Sequence, residues 1–260
     1  MRNFFTLLQK EWLEHMRNYR LIWLPLVFLL LGMMDPLTYY FMDDLLKSVG
    51  NLPDGMQITM PDVGAVDMII STAGQLQSIG LVVLIALYCS TISGERKNGT
   101  ATLLYVRPVS SVSMFMSKWV MAAFIGMLTT ICAIAASSYY AEILYGGLPF
   151  KRVAIFIAIY CLWLLVVLSI TLMMSALTTT AIAVTVTLVL TVVGMMADAV
   201  IGTYWTYSPY KLSTYGLHFV EHNTLPDGFG ITCAICAAII VGAVAAGIYF
   251  THINKQQTTV

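Results

Sequence analysis

His218, Glu221 and His222 form the string H-x-x-E-H. On a helix the two imidazoles stand one turn apart with the carboxylate beside them, the donor set of a zinc hydrolase. The third ligand of such a site, usually a later Glu, is missing, because the only acid downstream is Asp227. Leu212, Tyr215 and Phe219 instead give this stretch an apolar stripe suited to a membrane–water interface. A membrane-embedded zinc peptidase using His218, Glu221 and His222 is therefore carried as the alternative reading, beside simple structural or adventitious metal binding. Cys233 and Cys236 spell C-x-x-C, a redox or zinc spacing, but the residues around them are apolar with no second pair and no basic neighbour. Packing of small residues in a membrane helix is the expectation there. Gly94 to Thr100, G-E-R-K-N-G-T, approaches a phosphate loop, yet no lysine follows Gly99 and no buried strand precedes it. Asp198 is the one acid placed inside an apolar span, near its outer end. It is a candidate substrate or proton site, or a carboxylate reaching interfacial water. Tyr204, Trp205, Tyr207 and Tyr210 cluster just beyond it around Pro209, as an interfacial aromatic belt would.

The elements that position these groups follow from composition. The 260 residues are 59% hydrophobic and 10% charged, with a mean hydropathy of +0.82. A soluble domain carries about 25% charge, so lipid is the main solvent here. The 13 basic and 13 acidic residues cancel, which excludes a basic nucleic-acid binder. Five cysteines, all within apolar runs, make no disulfide framework. Crossing the hydrocarbon takes about 20 apolar residues as helix. Six segments satisfy this, at about 21–41, 76–93, 119–140, 153–174, 181–201 and 231–250. The fold class is an all-α integral membrane protein with six transmembrane helices. Gly242/Ala246 and Ala243/Gly247 supply small-residue spacings in the last span.

Charge placement orients the spans. Arg2, Lys10, Arg17, Arg20, Arg96, Lys97, Arg107, Lys118 and Lys255 fall on one side, against Glu11, Glu14 and Glu95. Lys47, Lys151, Arg152 and Lys211 fall on the other, where most acids lie. The first side is +6 and the second −5, so the first is cytoplasmic and both termini are inside. Residues 1–20 form an interfacial amphipathic helix, with Phe5, Leu8, Trp12, Met16 and Tyr19 on one stripe and Lys10, Glu14 and Arg17 off it. The alternative is a cytoplasmic helix packed on a neighbour. No small-residue cleavage site follows Leu21–Leu31, so a signal peptide is not expected. Residues 21–260 form one six-span domain with outer loops 42–75, 141–152 and 202–230. Asp67–Gly74 is a candidate helical lead into the second span. Asn98-Gly-Thr is a formal glycosylation sequon on the cytoplasmic side, where it would go unused.

The cytoplasmic loop 94–118 carries the most information. Charge leaves the membrane at Glu95–Lys97, Gly99 permits a turn, and Thr100–Tyr105 starts a short helix offering Leu103 and Leu104 for docking. Pro108 stops it, and Lys118 should snorkel at the foot of the third span. This stretch resembles the loop of ABC-2-type transporter permeases at Glu95, Arg96, Gly99, Thr100, Leu103, Leu104, Pro108, Val109, Ser110 and Lys118. Lys97 stands where an acid is usual and Ser111 where Arg is usual. The resemblance implies the membrane-spanning half of an exporter and a coupling helix seated in a cleft of a cytoplasmic ATPase subunit. It also implies a second permease, and ATP and Mg bound on the partner ATPase, with no cofactor or catalytic residue on this chain. The location implied is the bacterial cytoplasmic membrane, as a multi-pass protein. Cargo between apolar helices would be hydrophobic or amphiphilic, a peptide, lipid or drug, passing Asp198, Tyr204 and Trp205.

Overall fold

The computed structural model describes residues 2–42, 63–99 and 109–258. Nine α-helices account for nearly all of these: α1 Arg2–Arg17, α2 Arg20–Tyr40, α3 Ala65–Gln75, α4 Leu81–Lys97, α5 Ser111–Leu144, α6 Phe150–Leu177, α7 Thr180–Ile201, α8 Lys211–His222 and α9 Phe229–Thr258. A π-helical turn, Leu76–Gly80, joins α3 to α4 into one 33-residue helix. Among the described residues, six helices are long and apolar enough to cross a membrane: α2, α3–α4, α5, α6, α7 and α9. Between α1 and α2, Tyr19 takes a left-handed conformation, φ 54°, and so starts a new axis.

Lipid tails are as apolar as Leu, so helices in a bilayer are held by close packing and by polar groups between them. Both devices are present. An added Cβ on Gly32 of α2 would sit 2.0 Å from the Ala133 carbonyl oxygen, so α2 lies directly on the α5 backbone. Thr72 and Ser137 join hydroxyls at 2.7 Å between α3 and α5. Trp119 of α5 donates its Nε1–H to Ser169 of α6 at 2.9 Å. Ser175 of α6 donates to the Cys89 carbonyl and accepts from Ile92 and Ser93 N–H on α4. In α9, Gly247 receives the Phe115 ring of α5, while Gly242 faces open space. Only the Ala243/Gly247 spacing is therefore used for packing within the chain. The five cysteines are free, with Cys89 and Cys236 buried.

α5 and α6 form the centre, each burying 56% of its apolar window, with Phe156, Tyr160 and Trp163 at the core of α6. α7 is peripheral and buries only 17%, at Ala183, Thr187 and Thr191. The helices alternate, so α1, the ends of α4, α6 and α9 and the starts of α5 and α7 share one end, the α1 end. Three expected boundaries shift. Residues 65–75 of the expected loop 42–75 belong to the second span's helix, because Gly64 and Asp67 form its N-terminal cap. The expected loop 94–118 loses Gly94–Lys97 to α4 and Ser111–Lys118 to α5, whose N-cap is the Ser110 side chain accepting from Ser113 N–H. Loop 202–230 contains α8, whose buried face is Leu212, Gly216 and Val220 and rests on Phe156 and Ile159 of α6.

α1 turns its apolar stripe away from the bundle, the orientation an interfacial helix needs. Phe5, Trp12, Met16 and Tyr19 of its apolar stripe are exposed, while Leu7, Glu11 and His15 are the buried positions. The face turned to the bundle is mixed, with Leu7 beside the polar Glu11 and His15.

Candidate functional site

The inward face of α1 meets the base of the loop singled out by sequence. Lys118, two turns into α5, places Nζ 2.8 Å from Glu95 on α4 and 2.9 Å from Glu11 on α1. Lys10 adds contacts of 2.9 Å to Glu95, 3.3 Å to Glu11 and 3.5 Å to Glu14. Glu11 and Lys118 are 2% and 6% exposed, so Lys118 does not snorkel; it is drawn inward by two carboxylates. Burial opposes the charge on Glu11, but Lys118 and Lys10 outweigh it and hold the carboxyl below its usual range. Burial likewise opposes the Lys10 charge, and Glu11 and Glu95 overcome it, raising the ammonium above its usual value. Beneath this clasp His15 donates Nδ1–H to the Glu11 carbonyl at 2.8 Å, and its ring stacks on Tyr88. Burial, with Arg20 adding to it, lowers the imidazole and keeps it neutral.

Arg96 turns the other way. Its guanidinium caps α6 by donating to the carbonyls of Ala176 at 2.9 Å and Thr178 at 2.5 Å. Cations suit the carbonyl end of a helix, and Asn254 of α9 donates to the same Ala176 oxygen. Gly99 follows with φ +72°, a turn that glycine makes without strain. On the far shoulder Lys255 donates to the Val109 carbonyl at 2.6 Å. A cavity of about 600 Å³ opens there between Val109–Val112 and the last turns of α9, lined also by Ile248, Tyr249 and His252. Glu95 and Arg96 therefore point into the molecule and fix the two shoulders, and Gly99 makes the turn. Thr100, Leu103, Leu104 and Pro108 lie outside the described residues. Gly94–Lys97 is the carbonyl end of a helix, the wrong polarity for cradling phosphate.

At the opposite end, Tyr204 is 91% exposed and Trp205 and Tyr207 are partly covered. Tyr210 is the member of that cluster that turns inward. Its ring packs on Trp163 of α6 and on Trp205, with centroids 5.3 and 5.9 Å apart. It lies against Gly194 of α7, where a Cβ would stand 2.0 Å from the ring, and donates its hydroxyl to the Leu190 carbonyl. Lys211 donates to the Gly202 carbonyl at 2.5 Å, closing the end of α7. Asp198 sits between, with Oδ1 shielded from solvent and without a hydrogen-bond partner. The segment after α7 thus re-enters the bundle through Tyr210. Trp163 and Gly194 were not singled out from sequence. A glycine within an apolar span was the available signal, and nothing marked Trp163 among its apolar neighbours.

The family model described as ABC-2 family transporter protein matches residues 5–215, which takes in the clasp, its loop and Tyr210. The chain belongs to the ABC-2 transporter family. An uncharacterized transmembrane protein of Bacillus subtilis (strain 168), YxlG, is 32% identical over 169 residues. That match covers 65% of this chain and 66% of YxlG, just under two thirds of it. The protein is a multi-pass membrane protein of that family.

In this chain His218, Glu221 and His222 form the end of α8. The imidazoles stack at 4.5 Å, His218 Nδ1 donates to the Thr224 carbonyl at 3.1 Å, and His222 Nδ1 lies 3.5 Å from Glu221. Arg152 donates to the carbonyls of Val220 and Glu221, and Asn223 ends the helix in the left-handed region, φ 57°. These contacts describe a capped helix terminus, and the peptidase alternative finds no support in them. Among the described residues, the three carboxylates whose oxygens do converge are Glu11, Glu14 and Glu95. The ammonium groups of Lys10 and Lys118 lie in their midst.

Proposed function

We propose that this permease is the membrane half of an ATP-driven exporter, with its α1 end in the cytoplasm and residues 99–109 as the coupling element. The single observation that carries the reading is the clasp: Glu95 is tied to α1 and α5 through Lys10 and Lys118, while Arg96 is tied to α6. A push on a loop held this way is delivered to three spans and to the surface helix together. The partner is a cytoplasmic ATPase chain that binds ATP and Mg and docks on Leu103 and Leu104. The exposed stripe Phe5, Trp12, Met16 and Tyr19 lies on the bacterial cytoplasmic membrane, in the headgroup layer. A second permease completes the path, for which α7 has the most uncovered surface, and the cargo is hydrophobic or amphiphilic.

The test is co-purification of the chain with a co-expressed ABC ATPase from the same genome. Leu103→Glu/Leu104→Glu should reduce ATPase recovery at least about tenfold, the scale of losing one or two apolar anchors. Full recovery with ATP-dependent export intact would remove the coupling assignment.

A further inference from the structure

Two cavities on the bundle surface differ in the charge at their rims. At the far end, a cavity of about 480 Å³ between α5 and α6 is lined by apolar side chains and one carboxylate, Glu142. At the α1 end, the cavity of about 600 Å³ between Val109–Val112 and α9 has no carboxylate among its lining residues and one cation, Lys255. Ala245, Ile248, Tyr249, His252, Lys255 and Gln256 line it at spacings of three and four, so they share one face of α9.

That face changes character along its length. Ala245, Ile248 and Tyr249 belong to the apolar span, and Tyr249 and Val112 across the cavity are 61% and 52% exposed. His252, Lys255 and Gln256 follow in the polar tail of α9. From Ala245 to Gln256 is about 16 Å along the axis, enough to pass from hydrocarbon into the headgroup layer. At the upper rim Ser111 Oγ and Gln256 Nε2 stand 3.5 and 3.3 Å from the two ring nitrogens of His252. Lys255 donates to the Val109 carbonyl at 2.6 Å, which takes one of its three N–H groups and leaves its positive charge in place. The first turn of α5 adds the positive end of a 34-residue helix to the same rim.

An apolar floor at hydrocarbon depth under a cationic, hydrogen-bonding rim fits a two-part molecule, an acyl chain below and an anion above. Basic pockets between spans take anionic head groups for this reason. We propose that this cavity holds an anionic phospholipid, with its phosphate at Ser111, His252 and Lys255 and an acyl chain along Ala245, Ile248 and Val112. The lipid is a resident of the bundle's edge and is distinct from cargo. Which leaflet supplies it rests on the orientation proposed above; its binding does not. Val109 both lines the cavity and receives Lys255, so the lipid braces the point where the chain returns from the coupling element.

The chain is placed in nanodiscs holding phosphatidylglycerol and phosphatidylcholine in equal amounts, and the lipid it retains is counted by native mass spectrometry. Phosphatidylglycerol should be retained about fivefold over phosphatidylcholine, the factor of one basic residue at the headgroup layer. Lys255→Gln should bring that ratio close to one, and Lys255→Arg should keep it. Ala245→Trp fills the apolar floor without altering the rim, and should lower retention of both lipids with the unfolding temperature unchanged. No preference in the wild-type chain, or an undiminished preference in Lys255→Gln, overturns the site. So does displacement of phosphatidylglycerol by soluble glycerol phosphate, which would make this a site for a free anion. If Ala245→Trp instead separates paired chains and leaves lipid retention unchanged, the groove belongs to a second copy and the proposal falls. ATPase recovery is measured on the same preparations. If the ATPase co-purifies while the lipid preference is absent, the lipid site falls and the transport reading stands; the reverse result removes the transport reading alone.

Discussion

The two ends of the bundle treat charge in opposite ways. At the α1 end Glu11, Glu95, Lys10 and Lys118 neutralise one another within 2.8–3.3 Å, two of them almost fully buried. At the far end Asp198 keeps a shielded oxygen without a partner, and the neighbouring Lys211 caps a helix instead. A closed network has one low-energy arrangement, which suits a part that transmits force. At the far end a carboxyl oxygen stays unmatched, so no comparable set of ion pairs fixes one arrangement there. Buried ion pairs add little net stability but penalise any alternative geometry, because a lone charge left behind has no water to turn to.

That contrast can be broken most forcefully at Lys118. Lys118→Met leaves Glu11 buried with only the half-exposed Lys10, and the expected destabilisation is about 3–5 kcal/mol, measured by thermal unfolding in lipid nanodiscs. Pairing it with Glu11→Met should recover much of the loss, since the orphaned charge is then gone. A double variant as unstable as the single one would mean that the clasp contributes by shape rather than by charge.

Acid should loosen the same end in two stages. His15 has a folded value below its ordinary 6.5, so the stability it gives is complete above that pH and is lost as pH falls through the lowered value. Glu11 is also depressed, from 4.5, so its contribution is complete above 4.5 and disappears at lower pH still. Hydrogen exchange of the α1 amides should therefore rise in two steps on acidification. His15→Gln should remove the step at higher pH alone, and a single unchanged step would refute this order.

The smallest effect is expected at the capped end of α8. Glu221 and His222 are exposed, so Glu221→Gln should move stability by less than about 0.5 kcal/mol and leave transport unchanged. Lost transport in this variant would give the exposed end of α8 a role beyond capping its helix.

What could be read in advance tracks the range of the physics. Spans were legible because hydropathy accumulates over about 20 neighbouring residues. The stripe on α1 was legible too, but not which residues would meet the bundle on the other side, since periodicity reports a face and not what covers it. Glu95 and Arg96 stood out by resemblance as coupling residues. Their engagement with Lys10 and the α6 carbonyls joins positions about 80 residues or more apart, and with Lys118 positions on different spans, which no local pattern encodes. Lys118 was misjudged for the same reason: a lysine at the foot of a span reaches for water unless a carboxylate from elsewhere is closer. Tyr210 sat in a visible aromatic cluster, yet only the gap at Gly194 separated it from Tyr204.

Sequence alone determined the solvent of this protein, the number of its spans, the asymmetry of its charge and its family, because each depends on residues near one another in the chain or on composition. Tertiary structure decided which charges are spent and which are left over. That is a matter of distance between helices, and the interior's low dielectric makes a few ångströms the difference between a sealed clasp at one end and an unpartnered carboxyl oxygen at the other.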